Sequence, residues 1–554
     1  MSVRRRLRLL ALVTVLCTGA AGLPACAPDA DGRQAGPTAT CAELAEQYGS
    51  FPAGTSVTVA TPFTGVEAER FDASVADFSR CTGVTIVQNG SDELENQLRA
   101  ELGGSATDLA DIAVVPQPGL VTDLARHGRI VPLPEAVGAN TELGWDRIWS
   151  DAGRVDGELY GAPLMASLKS FIWYSPVAFE RAGYEVPTTW DELVELTDRV
   201  AADHPDGSVA PWCLGAADGA TTGWPVSDWL EDGLLAIHGT GAYDQWASHD
   251  VPVDAPVAVS TLDSLDSLLL AKGHVAGGRA GAVSMTMEEA GAELVSGACL
   301  MLHASSSFET VLPPGTTVTD ADGAHGVTVS ASPTEAASTP AGQPGEAGEP
   351  TPAGQPDDAG QSNGAGEPDD VGQPTPAGDP DNAGWAPSEG APSEGAASGA
   401  YTGAPASTAT ATPTPVRTGG VVSAFLLPAI ETDSTSNPVL VGGDYLVALK
   451  VSDASTAVMS YLTSSVWAQT RLSLGGVASA NHGVDAAGAS SPVAQEASRI
   501  LQSRQSVVRI DASDMMPSAV GTQVMWGALT KWARGEASSV AALAAAEAAW
   551  PKNG

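Results

Sequence analysis

In the ten residues Gly223-Trp224-Pro225-Val226-Ser227-Asp228-Trp229-Leu230-Glu231-Asp232, two indoles lie among three carboxylates. Those residue types suit a polyhydroxylated ligand. The apolar C–H face of a sugar ring stacks on an indole, and fixed carboxylates accept hydrogen bonds from its hydroxyls. Trp224 and Trp229 are therefore candidate stacking platforms, and Asp228 is the candidate hydroxyl acceptor. Glu231 and Asp232 read instead as charges near a helix start, where the dipole favours anions. The competing reading is purely structural: both indoles packed in a core behind a solvated acidic helix start.

Other chemistries find little support. No Cys-x-x-Cys or His-Glu-x-x-His spacing occurs, so no metal is expected, and no cofactor either. Asp320-Ala321-Asp322-Gly323 is a fragment of a calcium loop without the third ligand or the closing glutamate. A glycoside hydrolase would need two carboxylates about 5 Å or about 6.5–9.5 Å apart across the scissile bond. Asp228 with Glu231 or Asp444 supplies the residue types, but no hydrolase motif surrounds them. Nor is there a nucleophile elbow to support an esterase: the one Gly-x-Ser-x-Gly match, Gly360-Gln361-Ser362-Asn363-Gly364, lies in Pro/Gly-rich sequence rather than between a strand and a helix. The expected role is binding, not catalysis.

Charge narrows the partner. The 554-residue chain has 66 acidic and 26 basic residues, a net charge of −40, and only five lysines. Nucleic acid and anionic membrane surfaces require clustered Lys and Arg, so the acidic excess argues against both as partners. The same shortage around the candidate residues argues against a phosphorylated ligand.

Arg4, Arg5, Arg6 and Arg8 followed by an apolar run read as a signal peptide over residues 1–25. Leu23-Pro24-Ala25-Cys26 resembles a bacterial lipobox, which makes Cys26 the lipidated first residue of a tether over 26–40. No later apolar run reaches the ~18 residues of a membrane span. The expected product is extracytoplasmic, anchored by lipid and monomeric. The remaining cysteines, Cys41, Cys81, Cys213 and Cys299, suit two disulfides; of three connectivities, Cys41–Cys81 with Cys213–Cys299 is preferred.

The elements that must hold the candidates read as α/β. Ser56 to Ala60, Thr85 to Val87 and Ile112 to Val115 are short apolar strands. Between them, Phe71, Val75 and Phe78, then Leu94, Leu98 and Leu102, follow helical spacing. Such strands belong to a parallel sheet covered by helices. Thr189-Trp190-Asp191-Glu192 reads as a capping box, and the C-terminal hundred residues as mainly helical. Residues 331–415 break the pattern, with fifteen prolines, twelve acids and no Ile, Leu, Phe or Met. A segment that apolar-poor is expected to be a disordered insertion, flanked by strand-like sequence at Cys299 to Leu302 and Ala424 to Leu427.

Ten passages in order resemble the sugar-type extracellular solute-binding proteins of ABC importers, nearest their α-glucoside-binding branch. They include Thr61-Pro62-Phe63-Thr64-Gly65, Pro116-Gln117-Pro118-Gly119, Lys169-Ser170-Phe171-Ile172-Trp173-Tyr174, Gly442-Gly443-Asp444 and Asp511-Ala512-Ser513-Asp514. The resemblance implies a two-lobed periplasmic-binding-protein-like α/β fold with a hinge and an interlobe cleft. It implies lobe 1 at 41–165 and 300–440, carrying the insertion, and lobe 2 at 166–299 and 441–554. A carbohydrate is the implied ligand and membrane permease subunits the implied partners, with a sugar sensor for a signalling receptor as the alternative. Loops beyond strand ends are where open α/β sheets bind ligands, which adds Gln117, Thr64 and Glu67 as candidates. Trp173, Gly443 and Asp444 join them near the hinge crossings, and Asp514 beside Met515-Met516-Pro517 is a candidate that reads equally as a helix cap. His303 and Ser305 follow as weaker candidates, and Tyr174 is expected in the core.

Overall fold

The computed structural model describes residues 39–103, 110–321, 323, 325–329, 419–430 and 438–552. The expected signal peptide over 1–25, the candidate lipidation residue Cys26 and the expected insertion at 331–415 lie outside the described residues.

The described residues between Ser56 and Arg126 fold in the expected alternation. Strand β1 (Ser56–Thr61) leads to α1 (Gly65–Thr82), β2 (Thr85–Gly90), α2 (Leu94–Gly103), β3 (Ile112–Val115) and α3 (Pro118–Arg126). The α1 spacing works as read, since Phe71, Val75 and Phe78 are all buried. β1 pairs in parallel with both β2 and β3. A short hairpin, β4 (Arg154–Val155) and β5 (Glu158–Leu159), precedes β6 (Gly161–Leu168).

The second sheet begins immediately afterwards. β7 (Phe171–Tyr174), α4 (Trp190–Asp203), β8 (Ala210–Cys213), α5 (Trp224–Ala247) and α6 (Pro256–Leu269) come first. β9 (Cys299–His303), β10 (Thr317–Thr319), β11 (Gly326–Thr328) and β12 (Val421–Leu426) complete it, in the order β11-β10-β12-β7-β9-β8. At the start of α4, Thr189 caps Glu192 N as expected, but the Glu192 carboxylate reaches back to Thr188. The α5 helix breaks at Gly239, whose φ is 76°.

The chain then returns to the first sheet. β13 (Pro438–Ala448) runs antiparallel to β3 and β6, and β14 (Val507–Ile510) pairs with it in parallel. The last segments, α7 (Ala512–Met515), α8 (Trp526–Arg534) and α9 (Ser539–Ala548), pack into the core around α5 and α6. Two lobes result, joined at three passages: β6 to β7, β12 to β13, and β14 to α7.

The expected lobe boundaries are corrected here. The strands of 300–440 up to β12 belong to the second sheet, and β13 and β14 to the first, so those two stretches are exchanged, whereas the segments from Ala512 onward pack with the second lobe as expected. The cause is pairing: β9 lies parallel to β8, with Cys213 bonded to Cys299, and β13 fills the gap between β3 and β6. The strands flanking the insertion, β11 and β12, are therefore second-sheet strands. The other disulfide joins Cys41 to Cys81 and fastens the preceding helix Cys41–Tyr48 to the end of α1.

Candidate functional site

A cleft of about 390 Å³ opens where the loops of the first sheet face α5 and α8. From the first sheet come Phe63 and Glu67 after β1, Gln117 after β3, and Gly443 and Asp444 within β13. Lys169, Asp511 and Asp514 line its floor at the passages between sheets. From the second lobe come Asp218, Trp224 and Asp228 at the start of α5, Ser307 and Thr310 after β9, and Trp526 of α8.

Backbone approach fixes this geometry. Gly223 precedes α5 with φ 110°, and a Cβ there would lie 2.3 Å from the Trp526 carbonyl. Only glycine lets the two tryptophan segments meet this closely. On the other wall, a Cβ on Gly443 would come within 2.7 Å of the Met165 carbonyl.

Seven of the ten expected ligand residues line the cleft: Trp224, Asp228, Gln117, Glu67, Gly443, Asp444 and Asp514. Three do not. Trp229 is 1% exposed and packs edge-on to Trp212 and against His303. A helix turns about 100° per residue, so Trp224 and Asp228 share a face while Trp229 turns into the core. Trp173 is fully buried, packs on Phe308, and donates its indole N–H to the carbonyls of Ala304 and Ser305. Thr64 is the exposed N-cap residue of α1 and stays outside the cleft. Tyr174 is in the core as expected. His303 is buried against Asp232, and Ser307 lines the cleft where Ser305 was the candidate.

Glu231 and Asp232 are also corrected, from solvated helix-start charges to buried acceptors. Glu231 accepts from the backbone N–H of Ala512 and Ser513, and Asp232 accepts from Ser170 Oγ at 2.6 Å.

The residues missed by sequence reasoning centre on Lys169. Its Nζ lies 2.9 Å from Asp228, 2.5 Å from Asp511 and 3.4 Å from Asp514. Burial alone would lower the Lys169 pKa, but these carboxylates overcome it and raise it well above the usual value. One ammonium cannot hold three carboxylates ionised in a buried site. Burial raises Asp228 far above the carboxylate range despite Lys169. Asp514 is pushed up to about 8 by burial and by the charge of Asp511. Asp511 opposes its own burial through Lys169 and its hydrogen bonds, and stays below the usual range. The signal for this cluster was the rarity of lysine: one of five in the chain falls in an otherwise apolar strand junction.

The first-sheet wall is built differently. Glu67 pairs with Arg471 and lies 3.7 Å from Arg70, and Glu95 holds both Arg99 and Gln117 Nε2. Gln117 Oε1 is left buried with no hydrogen-bond partner, and so is the Trp526 indole N–H. The half-buried Asp444 carboxylate has no hydrogen-bond donor among the described residues, and burial with the charge of Glu67 pushes it up to about 7. Trp224 donates to Asp218 Oδ2 at 2.8 Å, which fixes the plane of its ring.

Two α/β lobes, three passages between them and a polar cleft at their junction define a solute-binding protein of the two-lobed type. The family model described as bacterial extracellular solute-binding protein matches residues 64–383, and the chain belongs to that family. It is similar to the osmoprotective compounds-binding protein GgtB of Synechocystis sp., with 27% identity over 501 residues, 90% of this chain and 92% of that protein. It is also similar to the alpha-glucosides-binding periplasmic protein AglE of Rhizobium meliloti, with 32% identity over 281 residues, 49% of this chain and 60% of that protein. Among solved structures, the bacterial solute receptor AcbH aligns with a TM-score of 0.60 at 13% identity, covering 90% of this chain and 98% of its own. That likeness speaks for the fold alone. The chain is a solute-binding component of the ABC-importer class rather than an enzyme. Among the described residues no helix is long and apolar enough to cross a membrane.

Proposed function

We propose that this protein captures an α-glucoside or another oligosaccharide outside the cytoplasm and hands it unaltered to the permease subunits of an ABC importer. In this reading lipidated Cys26 anchors it to the outer face of the cell membrane. The names of its relatives support the ligand class: AglE is an alpha-glucosides-binding protein, and GgtB binds osmoprotective compounds.

The observation that carries the reading is the polar complement of the cleft. Gln117 Oε1 and Asp444 offer acceptors, and Trp526 Nε1 a donor, none of them satisfied by the protein. They line the same cavity as the Trp224 ring. Sugar hydroxyls both donate and accept, and the ring C–H face covers an indole. The lysine among the lining residues is already held by three carboxylates, which leaves a phosphate no free cation there.

A thermal-shift screen of the unlipidated protein against glucosides and other oligosaccharides tests it. A ligand at about 100 times its Kd stabilises by about 2.7 kcal/mol, which is a visible rise in Tm. Shifts with anionic solutes and none with any sugar would end the proposal, as would recovery of a chemically altered sugar.

A further inference from the structure

Two of the three passages between the sheets are fastened directly to one face of α5, and the remaining one is held to it through Ser170. The first carries Lys169, paired with Asp228, and Ser170, whose hydroxyl donates to Asp232 at 2.6 Å. The second is hung on that same serine: Leu427 N donates to the Ser170 carbonyl at 2.8 Å, and Leu440 N to its Oγ at 2.7 Å. On the third, Ala512 N and Ser513 N both donate to Glu231. Tyr243, farther along α5, donates to the Ile510 carbonyl at 2.7 Å. His303 of β9 completes the set at 3.0 Å from Asp232. Asp228, Glu231 and Asp232 stand at i, i+3 and i+4, which places them on one helix face, and each is at most 2% exposed.

We infer that this face of α5 is the hinge clamp of the molecule, in which three carboxylates hold the three interlobe passages, one of them through Ser170, to one rigid element. Asp228 and Lys169 also line the cleft floor, so the clamp links solute contact to the setting of the two sheets. Glu231 and Asp232 are positioning residues that act through Ala512, Ser513 and Ser170. Apolar residues of similar volume stabilise a buried site as well as charges do or better, so a buried carboxylate triad fits a role in registry rather than in net stability. The link to solute rests on the binding function proposed above; the clamp itself does not.

The test uses the full chain with spin labels at Arg147→Cys in the first lobe and Asp198→Cys in the second, both exposed side chains. Ligand-free distance distributions are compared for the parent, Glu231→Gln, Asp232→Asn and the milder Ser170→Ala. All three variants lose the narrow distribution of the parent. Leu262→Ala, which opens a cavity in the second-lobe core, lowers Tm without that broadening. Unchanged distributions in the folded variants, or equal broadening by Leu262→Ala, overturn the inference. Ser170→Ala removes one hydroxyl and decides the matter if the carboxylate variants do not fold. A second arm follows maltose and trehalose by tryptophan fluorescence. Release from Asp232→Asn accelerates on the order of tenfold, with association little changed. Equal release rates refute the link to solute, and a parent that binds neither sugar counts against the sugar reading while the distance measurement still decides the clamp.

Discussion

The two walls of the cleft are made in opposite ways. On the first-sheet side, Phe63, Glu67 and Gln117 lie in or just beyond the loops that end β1 and β3, and Asp444 is part of β13 itself. On the other side, Trp224 and Asp228 begin a helix, and Trp526 arrives from a segment some 300 residues later in the chain. The chemistry differs as well. The first wall leaves acceptors unsatisfied at Gln117 and Asp444, whereas the carboxylates behind the second wall are engaged by the protein's own passages. One wall is shaped to receive hydroxyls and the other to present indoles on a rigid base.

The largest effect is expected where the walls meet. Lys169→Met leaves Asp228, Asp511 and Asp514 buried without a cation. Removing one partner of a buried ion pair costs about 3–5 kcal/mol, to be read from denaturant unfolding at neutral pH. The loss shrinks toward acid pH, where Asp511, the carboxylate that Lys169 keeps ionised, takes up a proton once its cation is gone. A loss below about 1 kcal/mol, the range of a surface pair, would show that charge does not hold the floor together.

Next come the two tryptophans five residues apart. Trp229→Ala empties a packed core site and is expected to destabilise by about 3–5 kcal/mol, with the affinity of the folded protein retained. Trp224→Ala is expected to leave Tm nearly unchanged and to weaken sugar binding by about tenfold or more in calorimetry. The reverse pattern would mean that the indole lining the cleft is not the one that meets the ligand.

The sequence disclosed the first wall better than the second, for a physical reason. A strand–loop–helix alternation is local, so the hydrophobic spacing of Phe71, Val75 and Phe78 located α1 and hence the turn carrying Glu67. Gln117 followed from the all-buried strand Ile112–Val115 in the same way. The second wall depends on tertiary packing. A helix period separates Trp224 from Trp229 only once the buried face is known, and composition gives no sign that Trp526 lies beside Gly223. Lobe membership failed for the same reason. Strand character at Cys299 and Val439 is visible in the residues, while the choice of neighbour is not. The one local clue was the pairing of Cys213 with Cys299, which ties β9 to β8 and cannot be reconciled with a lobe boundary inside β9.

The smallest effect isolates the first wall. Asp444 faces Glu67 and Arg471 from the first lobe and Lys169 from the junction, and its carboxyl titrates at about 7 in the folded protein. In the unfolded chain an aspartate loses its proton near pH 3.9. Between those values the folded state holds more protons, so this group lowers stability as pH rises; its penalty is absent in strong acid and complete above about pH 7. Asp444→Asn should therefore match the parent in Tm near pH 4 and exceed it by a few degrees near pH 8. Ligand affinity should move the other way. Only the ionised carboxylate offers all its acceptor positions to hydroxyls, so sugar binding by the parent strengthens through about pH 7 while the asparagine variant loses most of that rise. Any remaining slope near pH 8 belongs to Asp514 on the cleft floor. A parent and variant with the same pH dependence of affinity would remove Asp444 from the wall that receives the solute and leave Gln117 as its principal acceptor.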